Sequence, residues 1–217
     1  MKVLMIAPPG AGKGTQGKVI AEHFDIPHIA TGDLLRDHVA RATDLGRQVQ
    51  QFLDRGELVP DEVVLDMVRE AMTAAEGRGY VLDGIPRTMS QARAVYEIAK
   101  DLGVTADVAL HLQVSEQELV RRLLARAAEQ SRSDDSEDVI RHRLALYYEV
   151  THPILDWYGE RGILVTVDAE RAADAVGRHI LTALEVMRQM IEDNPDVPRR
   201  PIDLTGLGAA FGALTAD

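Results

Sequence analysis

Apolar and polar residues follow two rhythms along this chain, and the change between them marks its elements. Short unbroken apolar runs read as strands buried on both faces: Val3-Leu4-Met5-Ile6, then 79–83, 108–114 and 162–167, with a brief extended piece at 26–31. Between them the apolar positions recur at helical spacing. This predicts helices from 18 to 24, from 32 to about 42, from 44 to 55, from 61 to 75 and from 88 to 102. Further helices are predicted after Ser115, over 136–158 as one long rod, and over 169–191. Thr31 is placed to cap the second helix, and Ser115 with Glu118 three residues on forms a capping box. Strands alternating with helices predict an α/β parallel sheet, while the run of helices between 32 and 75 interrupts the alternation and reads as an inserted helical lobe. The segment after 193 has proline and charge without periodicity. Residues 194–217 read as a loosely attached, flexible extension that docks through Leu204, Leu207 and Phe211.

One junction of strand and helix carries chemistry. Ala7-Pro8-Pro9-Gly10-Ala11-Gly12-Lys13-Gly14-Thr15-Gln16 lies between the first strand and the first helix. Glycines allow the backbone to curl with its N–H groups pointing inward. The helix start adds the positive end of its dipole, and Lys13 adds a full charge, so the natural guest is a polyphosphate. The usual loop opens with glycine and follows its lysine with Ser or Thr; here Ala7 and Gly14 hold those places, with Thr15 one further on. Ala7 is tolerated there at negative φ and strained at positive φ. A glycine turn without a ligand is the alternative, but it would leave Lys13 idle in a tight apolar corner.

Composition narrows the guest. The 217 residues suit one domain with small insertions, and the absence of cysteine excludes disulfides, thiolate metal sites and cysteine nucleophiles. No apolar run approaches the ~20 residues of a membrane span, and no signal-peptide pattern precedes the first strand, so the expected location is the cytoplasm. A net charge of −11 argues against nucleic acid and anionic membranes as partners. Within that acidic chain the basic residues are 20 Arg and only four Lys. Arg grips phosphate through a planar fork, so the bias suits a cleft lined with guanidinium groups, although Arg-rich base composition gives the same count. Arg122 and Arg126, spaced i,i+4, share one helix face. Placement must decide between a cleft and a solvated face paired to acids. Asp83 ends a strand where it could order Mg²⁺ beside phosphates, or where it could cap a turn.

Five motifs then stand in one order: Gly10 to Gln16, Thr31-Gly32-Asp33-Leu34-Leu35-Arg36, Leu58-Val59-Pro60, Asp83-Gly84-Ile85-Pro86-Arg87-Thr88 with Gln91, and Arg132-Ser133-Asp134-Asp135 with Arg143. Together they resemble the adenylate kinases, of the nucleoside monophosphate kinase family, over roughly residues 1–190. The resemblance implies a P-loop NTPase-type domain over 1–193, with a five-stranded parallel sheet flanked by helices. It further implies an inserted AMP-binding lobe over 30–59, a short lid over 127–133, and the reaction ATP + AMP ⇌ 2 ADP with Mg²⁺. Only five residues separate Arg126 from Arg132, so a zinc-holding lid has no room and no structural zinc is expected.

Carried over by motif, Lys13, Arg87, Arg132 and Arg143 would be catalytic. Gly10, Ala11, Gly12, Lys13, Gly14, Thr15, Arg122, Arg126 and Arg171 would hold ATP. Thr31, Arg36, Glu57, Leu58, Val59, Gly84, Ile85, Pro86, Arg87 and Gln91, with Arg132 and Arg143, would hold AMP. Asp83 would hold Mg²⁺ through water. The resemblance also implies a monomer whose partners are ATP and AMP or ADP. A UMP/CMP kinase shares the fold and most arginines; Thr31 and Gln91 favour adenine, because a Gln amide offers donor and acceptor to its N6/N1 edge. A nucleotide-binding module that has lost catalysis is the alternative of another class.

Overall fold

In the computed structural model, which describes residues 1–130, 136–193 and 200–205, strand β1 (Lys2–Ile6) lies at the centre of a parallel sheet. The other strands are β2 (His28–Ala30), β3 (Tyr80–Asp83), β4 (Val108–Gln113), β5 (Leu164–Asp168) and β6 (Ile202–Asp203), in the spatial order β2-β3-β1-β4-β5-β6. Successive residues of a strand face opposite sides. Val3 and Met5 therefore enter one core, with Ile20, Leu119, Leu123, Ile180 and Leu184. Leu4 and Ile6 enter the other, with Val68, Met72, Val95 and Ile154. Burial on both faces explains why the strands read as unbroken apolar runs. β1 has β3 on one side and β4 on the other, so the chain turns in opposite directions from it. The crevice at the carboxyl ends of these strands is where open α/β sheets bind ligands.

Helix α1 (Lys13–Phe24) follows β1 and packs on α9 (Ala173–Asp193). The predicted helical insertion is present as α2 (Thr31–Ala40), α3 (Asp44–Arg55) and α4 (Asp61–Ala74). α5 (Met89–Asp101) is capped by Thr88, whose hydroxyl accepts from the Gln91 N–H at 3.1 Å. α6 (Glu116–Gln130) follows β4.

Several local expectations need correction. Thr31 is the first residue of α2 rather than its cap, and its hydroxyl donates to the Asp83 carbonyl at 3.2 Å. The Ser115–Glu118 capping box does not form. Glu118 is taken by Arg121 and Arg122, while the Ser115 N–H donates to Glu170 at 2.8 Å. The single rod over 136–158 is three pieces: α7 (Glu137–Leu146), a wide π turn (Tyr147–Thr151) and α8 (Ile154–Glu160). Pro153 is the physical reason for the last break, since it has no N–H to give to a helix interior.

The sheet also gains a strand that the tail was not expected to supply. Ile202 pairs with Val165 and Asp203 with Thr166, and the Leu204 N–H donates to the Thr166 carbonyl at 2.8 Å. Ile202 and Leu204 pack against the core, so this part of the extension is docked rather than loose. Leu207 and Phe211 lie outside the described residues. Among the described residues no helix is long and apolar enough to cross a membrane.

Candidate active site

The glycine loop is shaped by backbone that side chains resist. Gly10 and Gly12 sit at φ 85° and 94°, and a Cβ on Gly10 would meet Leu123 Cγ at 2.8 Å. Ala7 is buried and is absent from the residues of positive φ, so it holds the glycine's place without strain. Lys13 opens α1. Its ammonium donates to the carbonyls of Ala7 at 2.8 Å and Pro8 at 3.1 Å. Burial draws its pKa down from 10.5 to about 8; Asp83 pulls it up, while Arg87, Arg143 and Arg126 press it down. Those opposing charges come from three separate parts of the chain, which is itself a sign of convergence.

The cleft over the loop has a volume of about 620 Å³. Gly10, Gly12, Lys13, Gly14 and Thr15 line one end, and Asp83, Gly84, Pro86, Arg87, Arg36, Arg122, Arg126 and Arg143 line the rest. A second hollow opens on the helical insertion, beneath Thr31, Glu57, Leu58, Val59 and Gln91, and shares Arg36, Arg87 and Arg143 with the cleft. A third, of about 270 Å³, lies on the other side of the loop against Ala11, Gln16, Arg122, Arg171 and Val176. Arg143 reaches the insertion because Gly56 leaves it room: a Cβ there would stand 2.6 Å from Arg143 Cγ.

Two sequence expectations change at this point. Ile85 lines none of these hollows; it is 1% exposed and belongs to the core. Gln91 is buried with both halves of its amide engaged. Its oxygen accepts from the Arg87 N–H and its amino group donates to Asp61, each at 2.7 Å. Arg132 lies outside the described residues.

The arginines divide between the two readings that composition left open. Arg121 and Arg141 are solvated and paired to Glu118 and Glu137 on their own helices. Hydrogen bonds from Arg121 and Arg122 hold the Glu118 carboxyl down to about 2. Arg122, Arg126 and Arg143 face the cleft. Arg87 is held at three points: its Nε donates to the Gly84 carbonyl at 2.7 Å, its N–H donates to Gln91, and its carbonyl accepts from Thr151 at 2.8 Å.

A family model described as adenylate kinase matches residues 5–163. The chain belongs to the adenylate kinase family. It is 45% identical over 186 residues to an adenylate kinase of Thermobifida fusca, covering 85% of this chain and 98% of that one. It is 47% identical over 185 residues to an adenylate kinase of Kocuria rhizophila, with the same coverage. An adenylate kinase of Methanococcoides burtonii is 39% identical over 212 residues, covering 85% of this chain and 99% of its own.

Sequence reasoning missed Tyr147 and Thr151, which line the cleft from the π turn. Neither carries a motif. A polar residue at four-residue spacing from Arg143 was the signal available.

Proposed function

We propose that the protein moves the terminal phosphoryl group of ATP to AMP, reversibly, giving two ADP. The observation that carries this reading is the convergence of Arg36, Arg87, Arg126 and Arg143 on the cavity that Lys13 and the glycine loop close at one end. The names of its relatives support the choice of acceptor. On this reading Lys13 and the loop amides, with Thr15, take the β- and γ-phosphates of ATP. Arg122 and Arg171 flank the hollow for its base. Arg36 and Arg87 take the acceptor phosphate, and its base enters the hollow under Thr31, Leu58 and Val59 beside Gln91. Arg143, with Arg126, spans the two phosphate chains, and the motif around Arg132 gives that arginine the same task.

The chemistry asks for alignment, neutralised charge and excluded water rather than a base, because the acceptor phosphate is already an anionic nucleophile. One of its oxygens forms the new bond to the γ-phosphorus while the bond to the β–γ bridging oxygen breaks. That need accounts for a site rich in guanidinium groups. The residues present also fit Mg²⁺. Among the described residues no three His, Asp or Glu cluster as a closed metal cage, whereas the single carboxylate of Asp83 borders the phosphate cavity. Mg²⁺ prefers this arrangement, one or two carboxylates completed by phosphates and water, and there it would neutralise charge on the transferring group. A site supplied by one chain and working on soluble nucleotides needs neither partner nor membrane, and we read the protein as a cytoplasmic monomer.

The test is a panel of AMP, CMP and UMP with Mg-ATP, read for diphosphate product. AMP should turn over fastest. Faster turnover of CMP or UMP would reassign the acceptor. Tight binding of a two-headed ATP–AMP analogue with no ADP formed would reduce the protein to a binding module.

A further inference from the structure

The π turn is the part of the cleft wall that no motif explains. Its backbone closes by the His152 N–H donating to the Tyr147 carbonyl at 2.8 Å, five residues apart. Arg143, Tyr147 and Thr151 are spaced by four, and all three line the main cleft. In an α-helix a step of four overshoots one turn, so three such residues drift steadily around the axis. A widened turn takes more residues per revolution, so the same step falls short. The two errors have opposite signs. The π turn thus cancels the drift, and Thr151 returns to the face that Arg143 occupies.

Both ends of the turn are pinned by side chains. The Tyr147 hydroxyl lies 3.3 Å from His111 Nε2, in a buried contact beneath the cleft floor. Burial pushes the Tyr147 phenol up, so it keeps its proton. Burial, with His152 and Lys13 nearby, draws His111 down to about 4 against the pull of Asp203, so the imidazole is neutral. Both groups are therefore uncharged, and the contact is a neutral hydrogen bond in which either can be the donor. At the other end Thr151, 7% exposed, donates to the Arg87 carbonyl at 2.8 Å.

We propose that Thr151 is a positioning residue for phosphoryl transfer: registered by the π turn and the Tyr147–His111 bond, its hydroxyl fixes the Arg87 backbone and through it the guanidinium that meets the acceptor phosphate. The inference rests on the reading of Arg87 given above. The Arg87 N–H and Nε are held by groups close in sequence, Gln91 and Gly84, and Thr151 adds a hold from 64 residues away. It ties the acceptor end of the cleft to the helix that carries Arg143.

Thr151→Val keeps the shape and removes the donor; Thr151→Ser keeps the donor. In Thr151→Val the KM for AMP should rise roughly fivefold while the KM for ATP stays within twofold, and kcat should fall. Thr151→Ser should restore both parameters, and Tyr147→Phe should move them in the same direction as Thr151→Val by a smaller factor. AMP binding measured calorimetrically without ATP should weaken in step with KM. Melting curves for each variant separate these effects from loss of fold. An equal rise in both KM values, a Ser variant as impaired as the Val variant, or a Val variant that behaves as wild type would each overturn the proposal. Failure of the underlying reading is visible elsewhere: wild type would then not bind AMP, or Arg87→Ala would bind it unchanged, and either result overturns both.

Discussion

At its glycine-loop end the cleft places Lys13 from within ten consecutive residues, Ala7 to Gln16, whereas its acceptor end draws on five elements. These are α2 with Arg36, the turn at Gly56 to Val59, the stretch from Gly84 to Gln91, α7 with Arg143, and the π turn with Thr151. The first end holds its cation with neighbouring carbonyls, and its shape follows from local φ values. The second holds its cation through a net in which Arg87 is fixed by Gly84, Gln91 and Thr151. The contrast shows two ways to place one charge. A desolvated lysine is positioned by its own loop and is electrostatically poised. A guanidinium is positioned from outside and adds structural bonds of its own.

The largest effect should come from removing either cation. Lys13→Ala and Arg87→Ala are each expected to lower turnover by about 10³-fold or more, the scale seen for transition-state cations in phosphoryl transfer. They should differ in stability. Lys13→Ala removes a charge that burial disfavours, so its melting temperature should hold or rise. Arg87→Ala strips the Gly84 carbonyl of a donor and should cost about 1–2 kcal/mol. Turnover near wild type in either variant, read by a coupled ADP assay, would break the comparison. Equal changes in melting would remove the distinction between the two kinds of support.

The same contrast decides how much could be seen in the sequence. The glycine loop, Lys13 on its helix and Asp83 at a strand end were legible because their geometry is local. A strand, two glycines and a helix start suffice to state it. The arginines were legible as candidates only through the order of five motifs; composition could not tell Arg121, on a solvated face, from Arg122, in the cleft. Ile85 was misplaced because a motif position does not reveal that its side chain turns into the core. The π turn was hidden for a physical reason. Tyr147 to Thr151 keep helical spacing, and the contacts that accompany the extra residue in the turn, with His111 and Arg87, are far off in sequence. Ile202 and Asp203 were hidden likewise, since a two-residue strand has no periodicity and forms only where the β5 edge is open to receive it.

A smaller effect sharpens the electrostatic half of the comparison. Lys13 titrates near 8 when folded, against 10.5 as a free side chain, so between those values the unfolded chain binds the extra proton. The contribution of Lys13 to stability should therefore rise with pH across that window. Polyphosphate binding has the opposite sign, because anions favour the protonated lysine and affinity should fall as pH passes 8, by at most tenfold per pH unit. The two slopes are best read as differences between wild type and Lys13→Gln, which removes this titration and leaves all others. ATP affinity by calorimetry and melting temperature, both from pH 7 to 9.5, should diverge in wild type relative to the variant. Parallel slopes would mean that Lys13 is not the titrating group. Arginine keeps its charge over this range, so the acceptor end should contribute no such slope.

The smallest effect concerns Ala7, where the loop departs from its usual glycine. If that position needed positive φ, Ala7→Gly would relieve strain and raise stability. Ala7 is instead buried in the core beside the loop, at ordinary φ, and its carbonyl receives the Lys13 ammonium. Glycine would keep that carbonyl, lose a buried methyl and add freedom to the unfolded chain, a cost of about 0.5–1 kcal/mol. Turnover should stay within about twofold, because the groups that touch phosphate are unchanged. Gly10 differs: its φ of 85° and the Leu123 side chain leave no place for a Cβ. A gain in melting temperature on Ala7→Gly would show that the loop carries strain at its entrance, and that local backbone shape constrains the donor end more tightly than its φ values imply.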